Sequence, residues 1–236
     1  MNLGENLVII MLPLTQELIR LTQHGLEEVI QDPIHQLRAI KRLEIYKLLI
    51  SAEKFNKIYQ IRGILGIKSV KLIMPIWKSL VQTQGKSFSN KDKVLPYDFL
   101  KASENLINGA GSIENARKMC ASGWYDVGYI HSKVIENNLP EEMYYIPGAA
   151  VNLLHEIIGV EFLGKLQSWE QMSNDELAKF SFACDVAGLV ENSYIGIEKA
   201  NNQRRLEFWI WWLTEAIPQA WELAQSSYQD KENNQK

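Results

Sequence analysis

Apolar residues recur at the helical period along most of this chain, whereas the alternation of apolar and polar residues that is typical of strands is nowhere sustained. We therefore predict an all-α protein, a bundle of about eight helices without a significant sheet. The predicted helices cover Leu14–Ile30, His35–Ser51, Asn56–Val81, Pro96–Ile107, Ser112–Asn137, Pro147–Ile158, Asp175–Lys199 and Gln203–Ser226.

Local signals set several of these boundaries. Ser112 is a suitable N-cap three residues before Asn115, and Pro96 and Pro147 suit the first turn of a helix. Pro218 comes too late for a first turn and predicts a kink or a new helix. We expect one all-helical domain over residues 1–225, with the polar loop 83–95 as the place where it could divide. A disordered tail is expected over 226–236.

The composition excludes several classes of protein. Of 236 residues, 46% are hydrophobic and 22% are charged, which is typical of a folded globular protein. Cys120 and Cys184 form no Cys-x-x-Cys motif, and no phosphate-binding, hydrolase or Glu-x-x-His motif occurs. We expect no metal and no cofactor. The first apolar run, Leu7–Leu14, is too short for a membrane helix and has no basic residue before it, so we expect a cytoplasmic protein.

Charge is distributed unevenly along the sequence. Residues 37–101 contain fourteen Lys or Arg against four Asp or Glu, whereas residues 102–222 contain eight basic and seventeen acidic residues. The basic stretch raises the possibility of a nucleic-acid-binding adaptor, although its helical spacing favours a solvated face. The acidic stretch would instead attract a basic partner.

The predicted helix Asp175–Lys199 carries apolar residues on two opposite sides, so it should lie at the centre of the fold. Its Asp185 and Glu191 then reach little solvent, and buried carboxylates need hydrogen-bond or cationic partners. Two interpretations stay open: a structural ion-pair network, or an acid/base pair. The candidate members of this buried polar network are Asp126, Asp185, Glu191, Arg204 and Arg205, with Arg117 and His131 as further possible partners.

Two segments are candidates for a protein interface. In the tryptophan-rich helix, a stripe from Leu206 to Trp221 that includes Ile210 is predicted to face the core. Phe208, Trp211 and Trp212 fall outside this stripe, where a second helical layer would bury them or a partner would contact them. The connection 136–146 places carboxylates beside tyrosines, a combination suited to a basic protein surface. The candidate contact residues are Glu141, Glu142, Tyr144, Tyr145, Glu207, Trp211 and Glu215.

The same tryptophan-rich segment carries a resemblance. Arg205-Leu-Glu-Phe-Trp-Ile-Trp-Trp-Leu-Thr-Glu-Ala-Ile-Pro-Gln-Ala-Trp221 resembles a signature of immunity protein family five of bacterial polymorphic toxin systems. The resemblance continues upstream in Arg42-Leu-Glu-Ile-Tyr46, in Val70-Lys-Leu-Ile-Met-Pro-Ile-Trp77 and in Pro96 followed by Leu100, Ala102, Leu106 and Gly109. It implies an all-helical, non-catalytic protein, made beside a toxin gene, that binds and neutralises the toxin inside the producing cell.

The predicted function is therefore that of an immunity protein that occludes the active surface of a toxin domain, and a nuclease-type domain with a basic cleft is the expected class of toxin. Two alternatives from other classes are a helical-bundle enzyme that uses Asp126, Asp185 and Glu191, and the nucleic-acid-binding adaptor. An enzyme requires these carboxylates to converge on an open cavity, whereas the binding protein requires them to be sealed by arginines.

Overall fold

The regular structure of the described part of the chain is helical. A computed structural model describes residues 15–52, 60–158, 185–196 and 201–224, and within these ranges it contains helices and no strand. The predicted all-α fold is confirmed. The segment 1–14 and the predicted tail 226–236 lie outside the described residues. No helix in these ranges has both the length and the apolarity needed to cross a bilayer.

Eight α-helices follow one another in the described ranges. They are α1 Gln16–Gln31, α2 Ala39–Ala52, α3 Gln60–Gln84, α4 Asn90–Ile107, α5 Ile113–Glu136, α6 Glu142–Ile157, α7 Val186–Ile195 and α8 Asn202–Trp211. A 3-10 turn, Gly85–Ser87, follows α3. A π turn, Trp212–Ala216, follows α8, and the chain stays helical over 217–224.

Polar side chains cap the first turns of several helices. Thr15 accepts a hydrogen bond from the backbone N–H of Leu18 at the start of α1, and Ser112 accepts one from Asn115 at the start of α5. Ser89 and Asp92 form a reciprocal capping box at the start of α4. These bonds satisfy N–H groups that have no partner within the first turn, and the predicted cap at Ser112 is confirmed.

Two helices begin earlier than their prolines predict. α4 starts at Asn90 and α6 starts at Glu142, so Pro96 and Pro147 lie inside these helices. A proline inside a helix removes one backbone hydrogen bond, and burial of neighbouring apolar side chains offsets that cost. Met143 and Ile146, which precede Pro147, are both fully buried. The predicted loop 83–95 is consequently wrong, since only the short segment 85–89 separates α3 from α4.

α6 lies at the centre of the bundle. It packs against α3, α4, α5 and α7, and thirteen of its sixteen residues are buried. The adjacent α7 packs against α3, α6 and α8, and eight of its ten residues are buried. The prediction of a central helix with both sides covered is therefore confirmed for Val186–Ile195.

α7 is shorter than the predicted helix Asp175–Lys199. Asp185 has an extended backbone and acts as the N-cap, because its Oδ1 accepts the N–H of Gly188 at 2.6 Å. At the other end, Gly196 adopts a φ of 80°, which stops the helix after Ile195. Asp185 therefore lies at a helix start rather than inside a helix. Residues 159–184 and 197–200 lie outside the described ranges.

The tryptophan-rich helix widens just before its proline. The N–H of Ile217 bonds to the carbonyl of Trp212, five residues earlier, which defines the π turn. In a regular α-helix the ring of Pro218 would clash with the carbonyl four residues before it, and the wider turn relieves this clash. The chain thus passes Pro218 through a π turn without starting a separate helix.

The buried side of this helix also differs from the predicted stripe. Phe208 and Trp212 are buried, whereas Ile210 is 36% exposed. The physical reason is that α8 packs against α7 as well as α1, so apolar residues on two sides of the helix are covered. The sequence did not decide whether Phe208, Trp211 and Trp212 are buried or contact a partner. In the structure, Phe208 and Trp212 belong to the core.

Candidate functional site

Arg42 and Asp185 form a buried ion pair. Nε and Nη2 of Arg42 donate to Oδ2 of Asp185 at 2.9 and 2.8 Å, and Nη1 donates to the carbonyl of Leu37 at 2.8 Å. The guanidinium of Arg42 lies 5.4 Å from the ring centroid of Trp209. Neither Arg42 nor Asp185 is more than 7% exposed. The pair connects α2 to the first turn of α7, and it supplies the partner that a buried carboxylate requires.

Glu191 and Arg205 form a second buried pair, between α7 and α8. Nε of Arg205 donates to Oε1 of Glu191 at 2.5 Å, and Nη1 donates to the carbonyl of Ile34 at 3.0 Å. Burial raises the pKa of the Glu191 carboxyl, and the charge of Arg205 acts against this rise. Both carboxylates that the sequence placed on the central helix are thus bound by arginines, which also bind the connection between α1 and α2.

A third carboxylate, Glu156, lies beside this network at the end of α6, and the sequence analysis missed it. Its Oε1 accepts hydrogen bonds from the backbone N–H of Val186 at 3.3 Å and from Nδ2 of Asn152 at 3.4 Å. Its Oε2 is buried. Burial raises the pKa of Glu156 to about 7, which Arg62 opposes and the negative charge of Asp185 increases. No motif marks Glu156, so only its position in an apolar helix could have indicated burial.

Arg42 was likewise not predicted as the partner of Asp185. The available signal was the segment Arg42-Leu-Glu-Ile-Tyr46, which repeats the Arg-Leu-Glu-apolar-aromatic order of the segment that begins at Arg205. In the structure the arginine of each segment binds a carboxylate at α7. The expected partners Arg117 and His131 do not bind Asp185 or Glu191, since both are exposed on α5.

Asp126 and Arg204 lie apart from these two ion pairs. Asp126 is on α5, where it accepts a hydrogen bond from Nζ of the exposed Lys91 at 2.7 Å. Asp126 was predicted to belong to the buried polar network, but it does not, because it lies on the outer side of α5. Arg204 stacks over the ring of Tyr194 at 4.8 Å and donates to the carbonyl of Ile195 at 3.3 Å.

The basic residues of the N-terminal half are spread over α2, α3 and α4. Several of them are paired with acidic side chains: Lys41 with Glu44, Lys71 with Glu104 and Lys91 with Asp126. Pairing of this kind reduces the positive potential that a nucleic-acid backbone would meet.

Aromatic and acidic residues meet at the junction of α5 and α6. The rings of His131 and Tyr144 lie 4.2 Å apart between centroids, and those of Tyr144 and Tyr145 lie 5.2 Å apart. Glu141, the N-cap residue of α6, is exposed beside them. Burial raises the pKa of Tyr145, and the nearby negative charge of Glu141 raises it further. We call Glu141, Tyr144, Tyr145 and His131 the α5–α6 patch.

Glu142 differs from the other predicted contact residues because it is only 4% exposed. Glu142 was predicted as a contact residue on the connection 136–146, but it occupies the first turn of α6, where the helix turns it inward. A carboxylate in the first turn also interacts favourably with the positive end of the helix.

The remaining predicted contact residues lie on α8 and the π turn. Glu207 and Glu215 are exposed, and Glu207 accepts a hydrogen bond from Nε2 of Gln203 at 2.9 Å. Trp211 is half-buried, with its ring centroid 5.9 Å from that of Phe208. Part of the Trp211 surface is thus accessible next to two carboxylates.

A cleft of about 600 Å³ opens between the start of α6 and the end of α7. We call it the α6–α7 cleft. Its described lining is formed by Gln84, Asn138, Leu139, Pro140, Glu141, Glu142, Tyr145, Asn192, Ile195, Gly196 and Arg205. The cleft therefore includes Glu141 and Tyr145 of the α5–α6 patch. Within the described ranges, no group of three or more His, Cys, Asp or Glu side chains is placed to hold a metal ion.

Comparison with known proteins gives one match. The family described as "Immunity protein Imm5" matches residues 22–219, which include every described helix except the first six residues of α1 and the last residues of the C-terminal helix. No curated protein matches the chain. The expected resemblance to the fifth immunity protein family is confirmed.

Proposed function

Because the chain belongs to the Imm5 immunity protein family, we propose that it binds a toxin protein and neutralises it by covering the toxin's active surface. Under this proposal the protein does not catalyse a reaction. Its partner is the toxin of a bacterial polymorphic toxin system, and the two meet in the cytoplasm of the producing cell.

The observation that carries this proposal is the α5–α6 patch. Interfaces are enriched in tyrosine, which supplies contact area with few rotatable bonds. Tyr144 and Tyr145 are half-buried, and the ring of Tyr144 packs against those of Tyr145 and His131, so these rings are held in place before a partner arrives. Glu141 adds an exposed negative charge at the edge of these rings.

The exposed carboxylates of Glu141, Glu207 and Glu215 favour a basic partner. Glu207 and Glu215 on α8 and the π turn add two exposed carboxylates near the half-buried Trp211. A nuclease-type toxin binds the nucleic-acid backbone through a basic cleft. Opposite charges on the two proteins would speed their association and orient the encounter. This supports a nuclease-type domain as the class of toxin.

The buried carboxylates support binding over catalysis. Asp185 and Glu191 are each bound by an arginine, and Asp126 is paired with Lys91 on the outer side of α5. An acid/base mechanism would instead require carboxylates whose protons can reach a substrate. The arrangement favours the interpretation of Asp185 and Glu191 as a structural ion-pair network.

Co-expression tests the proposal. The toxin domain encoded beside the gene for this chain is expressed in a bacterial host with and without the full chain. We expect the chain to restore growth and to purify with the toxin as a complex. A double variant, Glu141→Lys with Tyr144→Ala, should lose part of this protection, whereas Glu27→Lys, at an exposed position of α1, should keep it. Failure of the folded wild-type chain to bind the toxin would overturn the proposal.

A further inference from the structure

We infer that the exposed face of α5 pairs with the same face of a second copy of this chain. The two helices run antiparallel about a two-fold axis that passes between Tyr125 and Tyr129. This pairing goes beyond the proposed function and does not depend on it, because it joins two copies of the chain and needs no toxin.

Two tyrosines that lie one turn apart on α5 are exposed. Tyr125 is 82% exposed and Tyr129 is 55% exposed. Nζ of Lys133 lies 4.4 Å from the centroid of the Tyr129 ring, so one face of this ring is covered within the chain. Tyrosine combines a large apolar ring with a polar tip, and it is enriched at protein interfaces. The two rings together mark this face of α5 as a surface suited to a protein partner.

The two tyrosines belong to a line of six residues along α5. Its members recur at alternating steps of four and three residues, which is the spacing of the contact positions in a coiled coil. We call them the α5 seam: Lys118, Ser122, Tyr125, Tyr129, Ser132 and Glu136. All six are exposed. The α5 seam extends over about 27 Å of helix, at 1.5 Å for each residue.

The order of residue types in the α5 seam is the same from either end. Each end has a charged residue, then a serine and then a tyrosine, and the two terminal charges are opposite. An antiparallel pair therefore places like residue types opposite each other near the axis and opposite charges at the ends: Tyr125 lies opposite Tyr129 of the second copy, Ser122 opposite Ser132, and Lys118 opposite Glu136. The two-fold axis repeats every contact, so a single face of the chain is complementary to itself.

Charge selects the antiparallel orientation. A parallel pair would place Lys118 against Lys118 and Glu136 against Glu136, and like charges in contact disfavour such a complex. The antiparallel pair instead brings each lysine to a glutamate of the other copy. The terminal charges thus distinguish between the two ways in which the tyrosines of two copies can meet.

The charges beside the α5 seam agree with this orientation. Nζ of Lys118 lies 2.8 Å from Oε1 of Glu114, but both side chains are mostly exposed, and the neighbouring Arg117 is exposed as well. This end of the seam therefore keeps a surplus positive charge. At the other end, Lys133 is bound to Asp92 of α4 at 3.0 Å, so its charge is balanced within the chain.

The serines of the α5 seam allow two helices to approach closely. The hydroxyl of Ser122 donates to the carbonyl of Met119 at 3.3 Å, and that of Ser132 donates to the carbonyl of Gly128 at 3.2 Å. Both hydroxyls thus keep a hydrogen-bond partner in their own helix when the seam is covered. Their small side chains leave room for the tyrosine rings of the other copy.

The contact area predicts a weak dimer. One pair of helices of this length buries less than the roughly 1,200 Å² at which stable interfaces begin. We therefore expect a dissociation constant of about 20 to 200 µM. At concentrations of a few µM the chain is then a monomer.

Sedimentation velocity of the full chain at low salt tests the pairing over concentrations from about 2 to about 400 µM. We expect the average sedimentation coefficient to rise with concentration from the monomer toward the dimer. Lys118→Glu and Glu136→Lys should each weaken dimerisation at least about five-fold, because each change places like charges opposite each other. When both changes are made in one chain, opposite charges meet again, and dimerisation should return to within about three-fold of the wild type.

A mixture of the two single variants gives a second readout. In a heterodimer of Lys118→Glu with Glu136→Lys, both ends of the α5 seam again bring opposite charges together. The mixture should therefore dimerise more tightly than either variant alone. This gain requires both variants to be folded, so it separates a lost contact from a lost fold.

Arg20→Glu is the matched control for Lys118→Glu. Arg20 is an exposed basic residue of α1 that is paired with Glu17, as Lys118 is paired with Glu114 on α5. This control should dimerise as the wild type does, whereas Tyr125→Ala should weaken dimerisation at least about five-fold. The inference is overturned if the chain stays monomeric over the whole range, if Arg20→Glu weakens dimerisation as much as Lys118→Glu, or if the mixture dimerises no more tightly than the single variants.

Discussion

Arg42 and Asp185 lie 143 positions apart in the sequence and are joined by three hydrogen bonds between a buried guanidinium and the carboxylate that caps α7. Oδ2 of Asp185 accepts the two shorter bonds from Arg42, whereas Oδ1 accepts the N–H of Gly188 at 2.6 Å and a longer bond from Nε of Arg42 at 3.2 Å. One carboxylate thus fixes both the start of α7 and its position against α2.

Removal of Arg42 should therefore destabilise the protein strongly. Arg42→Met leaves the carboxylate of Asp185 buried without its cation, and we expect the free energy of unfolding to fall by about 3 to 5 kcal/mol in urea denaturation. Adding Asp185→Asn should recover part of this loss, because asparagine keeps an oxygen that can accept the N–H of Gly188.

Lys118→Met is the control for that experiment. Lys118 binds Glu114 on the surface of α5, and the two side chains are 69% and 77% exposed. Loss of an exposed pair costs less than about 1 kcal/mol. A stability of Arg42→Met within about 1 kcal/mol of the wild type would contradict the structural role given to the buried pair.

Glu156 should make stability depend on pH. Its pKa is about 7 in the folded chain, against an ordinary value of 4.5. Between these values the folded state binds more protons than the unfolded state, so the contribution of Glu156 to stability falls as pH rises. Glu156→Gln removes this dependence. Its free energy of unfolding, relative to wild type, should increase by about 2 to 3 kcal/mol between pH 4.5 and pH 8. Parallel pH–stability curves for the two proteins would contradict this assignment.

Two glycines in α5 should respond oppositely to alanine. A Cβ at Gly123 would lie 2.7 Å from Cζ of Phe99 and 2.9 Å from Cγ1 of Val151, whereas a Cβ at Gly128 would meet nothing within 4 Å. We expect Gly123→Ala to lower the free energy of unfolding by about 1 to 3 kcal/mol through overpacking. Gly128→Ala should raise it by about 0.5 to 1 kcal/mol, since alanine favours the helix. Thermal melting measures both, and a stable Gly123→Ala would show that Phe99 on α4 and Val151 on α6 can shift away from α5.

The exposed carboxylates of α8 and the π turn should set the rate of toxin association. Glu207→Lys with Glu215→Lys should slow association several-fold at low salt and reduce its dependence on ionic strength, because charge steers the encounter. Stopped-flow mixing with the toxin domain measures both effects. The control, Glu17→Lys with Glu27→Lys, makes the same total change of charge at two exposed positions on α1. Equal slowing by this control would mean that net charge, and not this surface, governs association.

Periodicity and capping residues predicted the helical class of the fold, because both depend on neighbours in the sequence. Ser112 capped α5 as expected, and the two apolar sides of Val186–Ile195 correctly indicated a central helix. The same local signals failed at Pro96 and Pro147. At both positions the helix begins before its proline. Burial of the residues of α4 and α6 against other helices outweighs the preference of proline for a first turn.

The pairs in the buried network depend on contacts between distant segments. The sequence indicated that Asp185 and Glu191 need partners, and Arg205 was one of the predicted partners. It did not indicate Arg42, because Arg42 lies 143 positions before Asp185 and the two residues meet only in the folded chain. Glu142 was assigned to the surface for a similar reason, since its burial depends on where α6 begins.

If one chain neutralises one toxin by binding alone, the inhibition is stoichiometric, and a titration of toxin activity measures this stoichiometry. A fixed concentration of the toxin domain, well above the dissociation constant, is incubated with increasing amounts of the chain, and the remaining toxin activity is measured at successive times. We expect a linear loss of activity that is complete at one molar equivalent and does not change with time. A progressive loss with far less than one equivalent would show turnover and would rule out inhibition by binding alone.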